Sequence, residues 1–497
     1  MLGPLPFRFR THPWRFGAAL LSGALQYFAT GLEPWWWAAW VAPIPLLVAA
    51  FRASTREAWA LAIIAGVIGG ASMASFYATF IGVIGAGLVM LLRGLISGIV
   101  VARTRAAMLG SRQWLTVFVY PALMAGFDTI VAAVSSEGTI GSLAYSQMAA
   151  VPVIQIAALV GASGIVFIVS LFGALAAIAW HRRSDIDKPW LAYGLPTALI
   201  VAGLAYGFLR IASGPAASVL PVGLIAIDRA PSANSTGADD PVWGSYAAAV
   251  PGLVREGAKV VVLPEKIARL DHEAADRVRA LLGHVASDNV VYLLAGVTLV
   301  ESDHKENRAW LFAPTGALIA DYAKHHLLSG LEASFTPGRD LVIRPVGSSR
   351  IGIAICKDMD FPTLGRRYAG LGADALLVPA WDFDQDALWH ARMAILRGVE
   401  SGFAVIRSAR QGLLTVSDRY GRIVDVTTSR SAPVATLAVL APLGSGEATV
   451  YGRLGDGFGW LCAIASAAAC LVSFRSRRSR RASGASRSGV AKAERAV

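Results

Sequence analysis

Apolar residues fill the chain from Phe16 to about position 210 in long runs, thin out into a mixed, alternating pattern after Ser218, and return from Gly457 to Phe474. A helix needs about 20 consecutive apolar residues to cross the hydrocarbon core of a bilayer. The first block divides into seven such segments: Phe16–Leu32, Trp35–Phe51, Glu57–Phe80, Ile81–Ala102, Trp114–Val134, Ile154–Trp180 and Trp190–Leu209. Gly457–Phe474 makes an eighth. The cut after Phe80 divides one long apolar run. Gly, Pro and Trp residues in and around these segments suit membrane helices and their interfaces. Arg8, Arg10 and Arg15 precede the first apolar core in the manner of a signal peptide, but six further segments follow, so an uncleaved first helix is expected.

Between the last two apolar segments the period changes. Strand-like runs at Leu220–Ile227, Val260–Leu263, Val290–Val300, Trp310–Ala313, Ile351–Ile355, Ala375–Val378 and Ala404–Ile406 alternate with helix-like ones at Asp240–Glu256, His272–Ala286 and Asp386–Ser401. Such alternation predicts a layered α/β domain. The expected organisation is a membrane domain over 1–215, an α/β domain over 216–446, a closing membrane helix over 447–474 and a basic tail over 475–497.

Composition agrees. The chain of 497 residues is 55% hydrophobic and 16% charged, against about 25% charged for an average soluble protein. Charge then orients it. Arg52 and Arg56 follow the second segment, Arg103, Arg105 and Arg112 the fourth, and Arg182, Arg183 and Lys188 the sixth, while the loops near Glu33, Phe80 and Ser135–Ala150 carry no Lys or Arg. That alternation places the N-terminus in the cytoplasm and the α/β domain on the outer side of the membrane. The eighth segment returns the chain to a tail carrying Arg475, Arg477, Arg478, Arg480 and Arg481. The net charge of +12 reads as orientation and contact with anionic lipid rather than nucleic-acid binding. Arg93 and Asp128 lie inside apolar segments; Arg93 is expected to snorkel towards the cytoplasmic face, and neither is given a role.

Candidate chemistry gathers at the ends of three strand-like runs. Ser349–Pro362 (SRIGIAICKDMDFP) ends its strand on Cys356, Val260–Glu265 (VVVLPE) ends on a carboxylate, and Leu318–Lys324 (LIADYAK) ends on a lysine. A thiol needs a base to become a nucleophile, a carboxylate within reach can take its proton, and an ammonium stabilises the oxyanion that follows. These residues and their contexts resemble the nitrilase (carbon–nitrogen hydrolase) superfamily, whose Glu-Lys-Cys triad falls here on Glu265, Lys324 and Cys356. The resemblance implies an α-β-β-α sandwich over about Leu220–Leu443, so the expected fold is a multi-span α-helical membrane bundle plus an α/β nitrilase-like sandwich domain.

The combination of bundle, outward domain and closing helix resembles, more narrowly, the apolipoprotein N-acyltransferases. Gly141–Gln147 (GSLAYSQ) with Gln155 and Gly161, Lys324-His325-His326-Leu327 with Glu332 eight positions beyond the lysine, and Trp389-His390, Arg397, Glu400, Gly402 and Arg407 carry the likeness. It implies transfer of a fatty acyl chain from a phospholipid, through a thioester on Cys356, to the α-amino group of the lipid-modified N-terminal cysteine of an apolipoprotein, in a bacterial inner membrane. Glu332 and Asp358 enter as supporting residues. The chain departs from the pattern at Lys266 after the first glutamate, Lys357 and Asp358 after the cysteine, Ile227-Asp228-Arg229 at the end of the first strand, and Ser329 before the second glutamate.

Two other readings stand beside this one: a membrane-anchored amidase acting on a small amide, favoured by the altered Lys357-Asp358 surroundings, and a non-catalytic lipid-binding scaffold, opposed by the retention of all three triad residues. No cofactor is expected. His325, His326 and His390 lack the i, i+4 pairing or Cys partner of a metal site. Cys462 and Cys470 on the last apolar segment read as helix-packing residues, with no disulfide framework.

Overall fold

A computed structural model describes residues 12–181, 186–214, 218–228, 237, 239–301 and 304–468. Arg8, Arg10, Arg182, Arg183, Arg229, Cys470 and the tail arginines lie outside the described residues.

Helices account for the apolar block: Pro13–Ala29, Ala38–Phe51, Thr55–Gly110, Trp114–Val134, Val151–Val160, Ala162–His181 and Trp190–Ala212, with Gly457–Ala468 beyond the α/β domain. Four of these, Thr55–Gly110, Trp114–Val134, Ala162–His181 and Trp190–Ala212, are long and apolar enough to cross a membrane. The helix from Thr55 begins on a capping box. Ser54 Oγ accepts the Glu57 N–H at 3.2 Å and Glu57 returns the bond to the Ser54 N–H at 3.3 Å. Glu57 is further held by Arg15 at 2.9 Å, which ties the first helix to the third apolar segment.

The long run reverses at Gly82, whose φ of 72° and ψ of 168° are costly for any side-chain-bearing residue. The returning arm packs tightly on the outgoing one: a Cβ on Gly66 would lie 2.9 Å from the Gly94 Cα. Small residues at such a crossing let membrane helices approach closely. The expected helix Ile154–Trp180 is not continuous. Gly161 takes φ 74° and ψ −173° and ends the short helix Ala157–Val160 before Ala162–His181 begins. Hydrophobicity runs straight through this break because Gly161 is as apolar as its neighbours; Tyr451, whose ring a Cβ there would meet at 2.4 Å, fills the angle it opens.

Thirteen strands follow among the described residues: β1 (Val219–Ala226), β2 (Val260–Val262), β3 (Arg269–Leu270), β4 (Tyr292–Val300), β5 (Lys305–Phe312), β6 (Leu318–Ala323), β7 (Ile343–Val346), β8 (Ser349–Ile353), β9 (Ala375–Trp381), β10 (Ala404–Arg410), β11 (Leu413–Ser417), β12 (Ile423–Thr428) and β13 (Ala435–Pro442). They form two sheets, ordered β13-β1-β2-β4-β5-β6 with β3 beside β4, and β12-β11-β10-β9-β8-β7. The central strands β1, β2 and β4 pair in parallel, as do β8, β9 and β10. Strands buried on both faces need unbroken apolar runs, and β2 is Val-Val-Val, fully buried.

Alternate residues of each strand then face different partners. Leu224, Val262, Leu294 and Leu311 of the first sheet meet Ile353, Leu377, Ile406 and Val416 of the second between the layers. The opposite face of the first sheet, Ile225, Val261 and Leu293, packs under Trp243, Tyr246 and Val278 from helices Pro241–Arg255 and His272–Asp288. Leu376, Val378 and Val405 of the second sheet pack under Leu364, Tyr368 and Ala394 from Pro362–Gly370 and Ala387–Ser401. The result is the expected α-β-β-α sandwich. Each of the fully buried Val, Leu and Ile side chains among them contributes roughly 1.5–3 kcal/mol.

Helix and sandwich are joined by buried polar groups. Glu400 accepts the backbone N–H of Ala162, the first residue of its helix, at 3.0 Å, and pairs with Arg397 at 2.7 Å. Arg397 also donates to the Tyr145 hydroxyl at 3.2 Å, and Gln155 Nε2 donates to the Tyr420 carbonyl at 2.8 Å.

Candidate active site

β8 delivers Cys356 to the end of the sheet, where the backbone turns sharply. Cys356 has φ of +43°, a conformation that favours glycine, and opens the single-turn helix Cys356–Asp360. Asp358 holds that turn. Its Oδ2 accepts the Ile355 N–H at 3.0 Å and the Tyr322 hydroxyl at 2.7 Å, and its Oδ1 accepts the backbone N–H groups of His325 and His326 at 3.1 and 2.8 Å. The thiol is nearly enclosed, 8% exposed, and lies 3.7 Å from the Trp381 carbonyl at the end of β9.

Beside it is a polar cluster from four chain segments. Lys324, just past β6, places Nζ 2.9 Å from Glu265 Oε1 and 3.0 Å from Glu332 Oε2. Glu265 follows Pro264 after β2, and its N–H is fixed by the Ala380 carbonyl of β9 at 3.3 Å. Asn307 in β5 donates to both carboxylates, 2.6 Å to Glu265 and 3.0 Å to Glu332, while its own carbonyl takes the Lys324 N–H at 2.9 Å. Sequence reasoning missed Asn307. Its signal was an Asn in the middle of a buried strand, where that residue type is disfavoured unless a partner waits.

These neighbours set the ionisation states. Burial lowers the Lys324 ammonium's pKa, but Glu265, Cys356 and Glu332 more than offset that and hold it protonated. Burial raises the Glu332 carboxyl, yet Lys324 and Lys266 bring it down to about 2. Cys356 goes the other way: burial first, then the Glu265 charge, push the thiol well above its ordinary range, against the pull of Lys324 and Arg407. At rest the sulfur keeps its proton. Arg407 in the middle of β10 is itself neutralised by a two-pronged contact with buried Asp382, one arm at 2.9 Å.

The departures from the family pattern fall around this cluster. Lys266 ion-pairs with Glu332 and lies over the Phe335 and Trp381 rings, 5.2 and 5.7 Å from their centroids. Arg410 stacks on Trp381 at 3.9 Å. Asp228 accepts the Gln411 N–H at 2.6 Å and the Ser429 hydroxyl at 2.7 Å, a structural tie between β1 and the β10–β11 turn. Lys357 and Ser329 both contact Glu137 of the helical region.

A cavity of about 290 Å³ opens within the helices, walled by apolar side chains such as Leu92, Met124 and Phe127 and by the loop Gly138–Leu143. Arg93 and Asp128 both line it. The arm after Gly82 packs antiparallel to the one before it. That packing sets Arg93 against Gly70, at the far end of a 16-residue helix that rises about 24 Å from Thr55. Asp128 accepts the Ser142 hydroxyl at 3.0 Å. Among the described residues, no three His, Cys, Asp or Glu side chains gather as metal ligands. His325 and His326 are turned to Asp340 and Asp358, and His390 to Asp386.

Comparison with known proteins covers both halves. Residues 224–435 match the carbon–nitrogen hydrolase family, and residues 22–175 match the apolipoprotein N-acyltransferase N-terminal domain. An apolipoprotein N-acyltransferase of Geobacter metallireducens is 25% identical over 92% of this chain and 95% of its own. One from Thermotoga maritima is 29% identical over 29% of each chain. Among solved structures, an amidase from Nesterenkonia sp. is 21% identical, covering 46% of this chain and 94% of its own, with a TM-score of 0.40.

Proposed function

The chain belongs to the apolipoprotein N-acyltransferases of the carbon–nitrogen hydrolase superfamily, and from that premise we propose that it acylates the N-terminal cysteine of lipoproteins by a ping-pong reaction at Cys356. The observation that carries the site assignment is Lys324 Nζ bridging Glu265 and Glu332 beside a buried, still-protonated thiol.

In the first half-reaction Glu265 takes the proton from Cys356 Sγ as the sulfur attacks an ester carbonyl of a phospholipid. The negative charge that develops on the carbonyl oxygen is met by the Lys324 ammonium. As the intermediate collapses, the carbon–oxygen bond breaks, the proton on Glu265 passes to the leaving lysophospholipid alkoxide, and a thioester remains. In the second half the α-amino group of a diacylglyceryl cysteine attacks that thioester, Glu265 accepts the amine's proton, and the carbon–sulfur bond breaks. Sγ recovers a proton and the product is an amide. Glu332 and Asn307 act through position: they fix the ammonium and the base against each other.

The Lys and Arg alternation supports an inner-membrane arrangement with a cytoplasmic N-terminus, seven crossings before the α/β domain and one after it, and catalysis on the outer side. Both substrates then keep their acyl chains in the bilayer and present their reacting groups at its surface. The apolar cavity in the bundle offers the donor chain a place.

The test is an intact-mass measurement. Protein incubated with phospholipid alone should gain one acyl group on Cys356 and release little free fatty acid, and a diacylglyceryl-cysteinyl peptide should then discharge it as an N-acyl product. Steady hydrolysis of a small soluble amide with no acylation by phospholipid would overturn the reading in favour of an anchored amidase.

A further inference from the structure

Glu137 joins two segments of the active site to the membrane-embedded half. It lies in the loop after helix Trp114–Val134, yet its Oε2 ion-pairs with Lys357, the residue next to the nucleophile, and its Oε1 accepts the Ser329 hydroxyl at 2.6 Å. Lys357 is 2% exposed in its side chain and Glu137 35%, so the carboxylate closes over an ammonium that water scarcely reaches. Burial raises the Glu137 carboxyl, but Lys357 and Ser329 outweigh it and hold the group below its ordinary range. The Glu137 carboxylate therefore stays charged across the neutral range.

The adjoining residues make the loop a two-sided plate. Thr139 gives both its N–H (3.1 Å) and its hydroxyl (2.8 Å) to the carbonyl of Asp360, the last residue of the nucleophile's turn. Gly138 fits against the same carbonyl, which a Cβ would approach to 2.6 Å. The other side of Gly138–Leu143 is a wall of the bundle cavity. One face of this plate touches the turn that carries Cys356 and the other touches the space within the helices.

We propose that Glu137 is a positioning residue for the acyl donor: by clasping Lys357 and Ser329 together it holds the bundle cavity, and the long acyl chain in it, in register with Sγ of Cys356. This rests on the reading of the chain as a phospholipid-dependent acyltransferase. Loss of the clasp shifts a chain-bearing ester relative to the sulfur, while a small ester, which has no chain to anchor, is indifferent to it.

The experiment compares Cys356 acylation by a long-chain diacyl phosphatidylethanolamine with that by p-nitrophenyl acetate, in the full-length protein and in Glu137→Gln, which keeps the shape and removes the charge. Misplacement by about an ångström lowers such a rate by about 10- to 100-fold. That fall is expected for the phospholipid, with labelling by the small ester changed by less than about twofold, and Glu137→Asp should recover part of the loss. An equal fall for both esters assigns Glu137 to folding alone and overturns the proposal, as does an unchanged rate with phospholipid. If the unaltered protein is never acylated by phospholipid, the acyltransferase reading itself fails; if it is and the variant matches it, only the role of Glu137 fails.

Discussion

A single oxygen of Asp358, Oδ1, receives both the backbone N–H of His326 at 2.8 Å and its ring Nδ1 at 3.0 Å, across 32 residues of chain. With Tyr322 and Ile355 on the other oxygen, the carboxylate is the knot that closes the nucleophile's turn onto the segment after Lys324. An amide there has one accepting oxygen in place of two and points N–H groups at donors. Asp358→Asn is therefore expected to destabilise the protein by about 2–4 kcal/mol, the penalty of stranding buried donors. Unfolding of the detergent-solubilised protein would measure it, and stability within error of the parent would return Asp358 to a minor role in shaping the pocket.

The triad assignment makes a sharper demand. Cys356→Ser replaces a thiol with a hydroxyl whose proton is far harder to remove, and Glu265→Gln removes the group that takes it. Each should lower N-acyl product formation by about 10³-fold or more, as for interdependent catalytic groups elsewhere. Product quantified by mass spectrometry decides the matter; a fully active Glu265→Gln would leave the mechanism without its base.

His390 gives the protein an alkaline limit. Burial lowers its pKa, but Asp386 at 3.1 Å, with Asp360 and Asp382 nearby, raises it to about 9. Because the folded value exceeds the ordinary 6.5, the stabilisation is full below pH 6.5 and is lost as pH rises through about 9. Melting temperatures of the parent and His390→Gln should differ most at pH 6 and converge by pH 9.5. A difference that is constant across that range would mean the imidazole is not charged in the folded state.

Orientation is open to reporter fusions. A phosphatase joined after Ser218 should be active, and one joined after Arg478 inactive, if the α/β domain lies outside and the tail inside. The opposite pattern would put the site in the cytoplasm, away from the outer-leaflet donor the mechanism requires.

Much of this architecture is legible in the residue pattern for a physical reason. A strand buried on both faces, such as β2, must be apolar throughout, and Glu265 sits just past the point where that run stops. β7, β11, β12 and β13 were not read: β7 carries a proline, and β12 is largely exposed and needs no apolar alternation. The reversal at Gly82 falls within two residues of the cut made after Phe80, whereas the kink at Gly161 left no trace in hydrophobicity. Lys357 and Ser329 were visible as unusual residues. Their common partner was not, because Glu137 stands 220 and 192 positions away and only the folded chain brings the three together.

The contact between Glu400 and the Ala162 N–H bears on how far the two halves can be separated. Burial pushes the Glu400 carboxyl up to about 7 even with Arg397 beside it, so its acceptor role at the first turn of a hydrophobic helix is needed to keep it tolerable. Excising the sandwich before β1 would remove the partners of that carboxylate and of the Tyr420 carbonyl, and with them the helices that cover Trp389, Met393, Leu396 and Val399. A truncated version would thus start with large apolar side chains, now packed against the helices, open to water. The catalytic half is not a detachable cartridge, and a designer wanting one would first have to rebuild its floor.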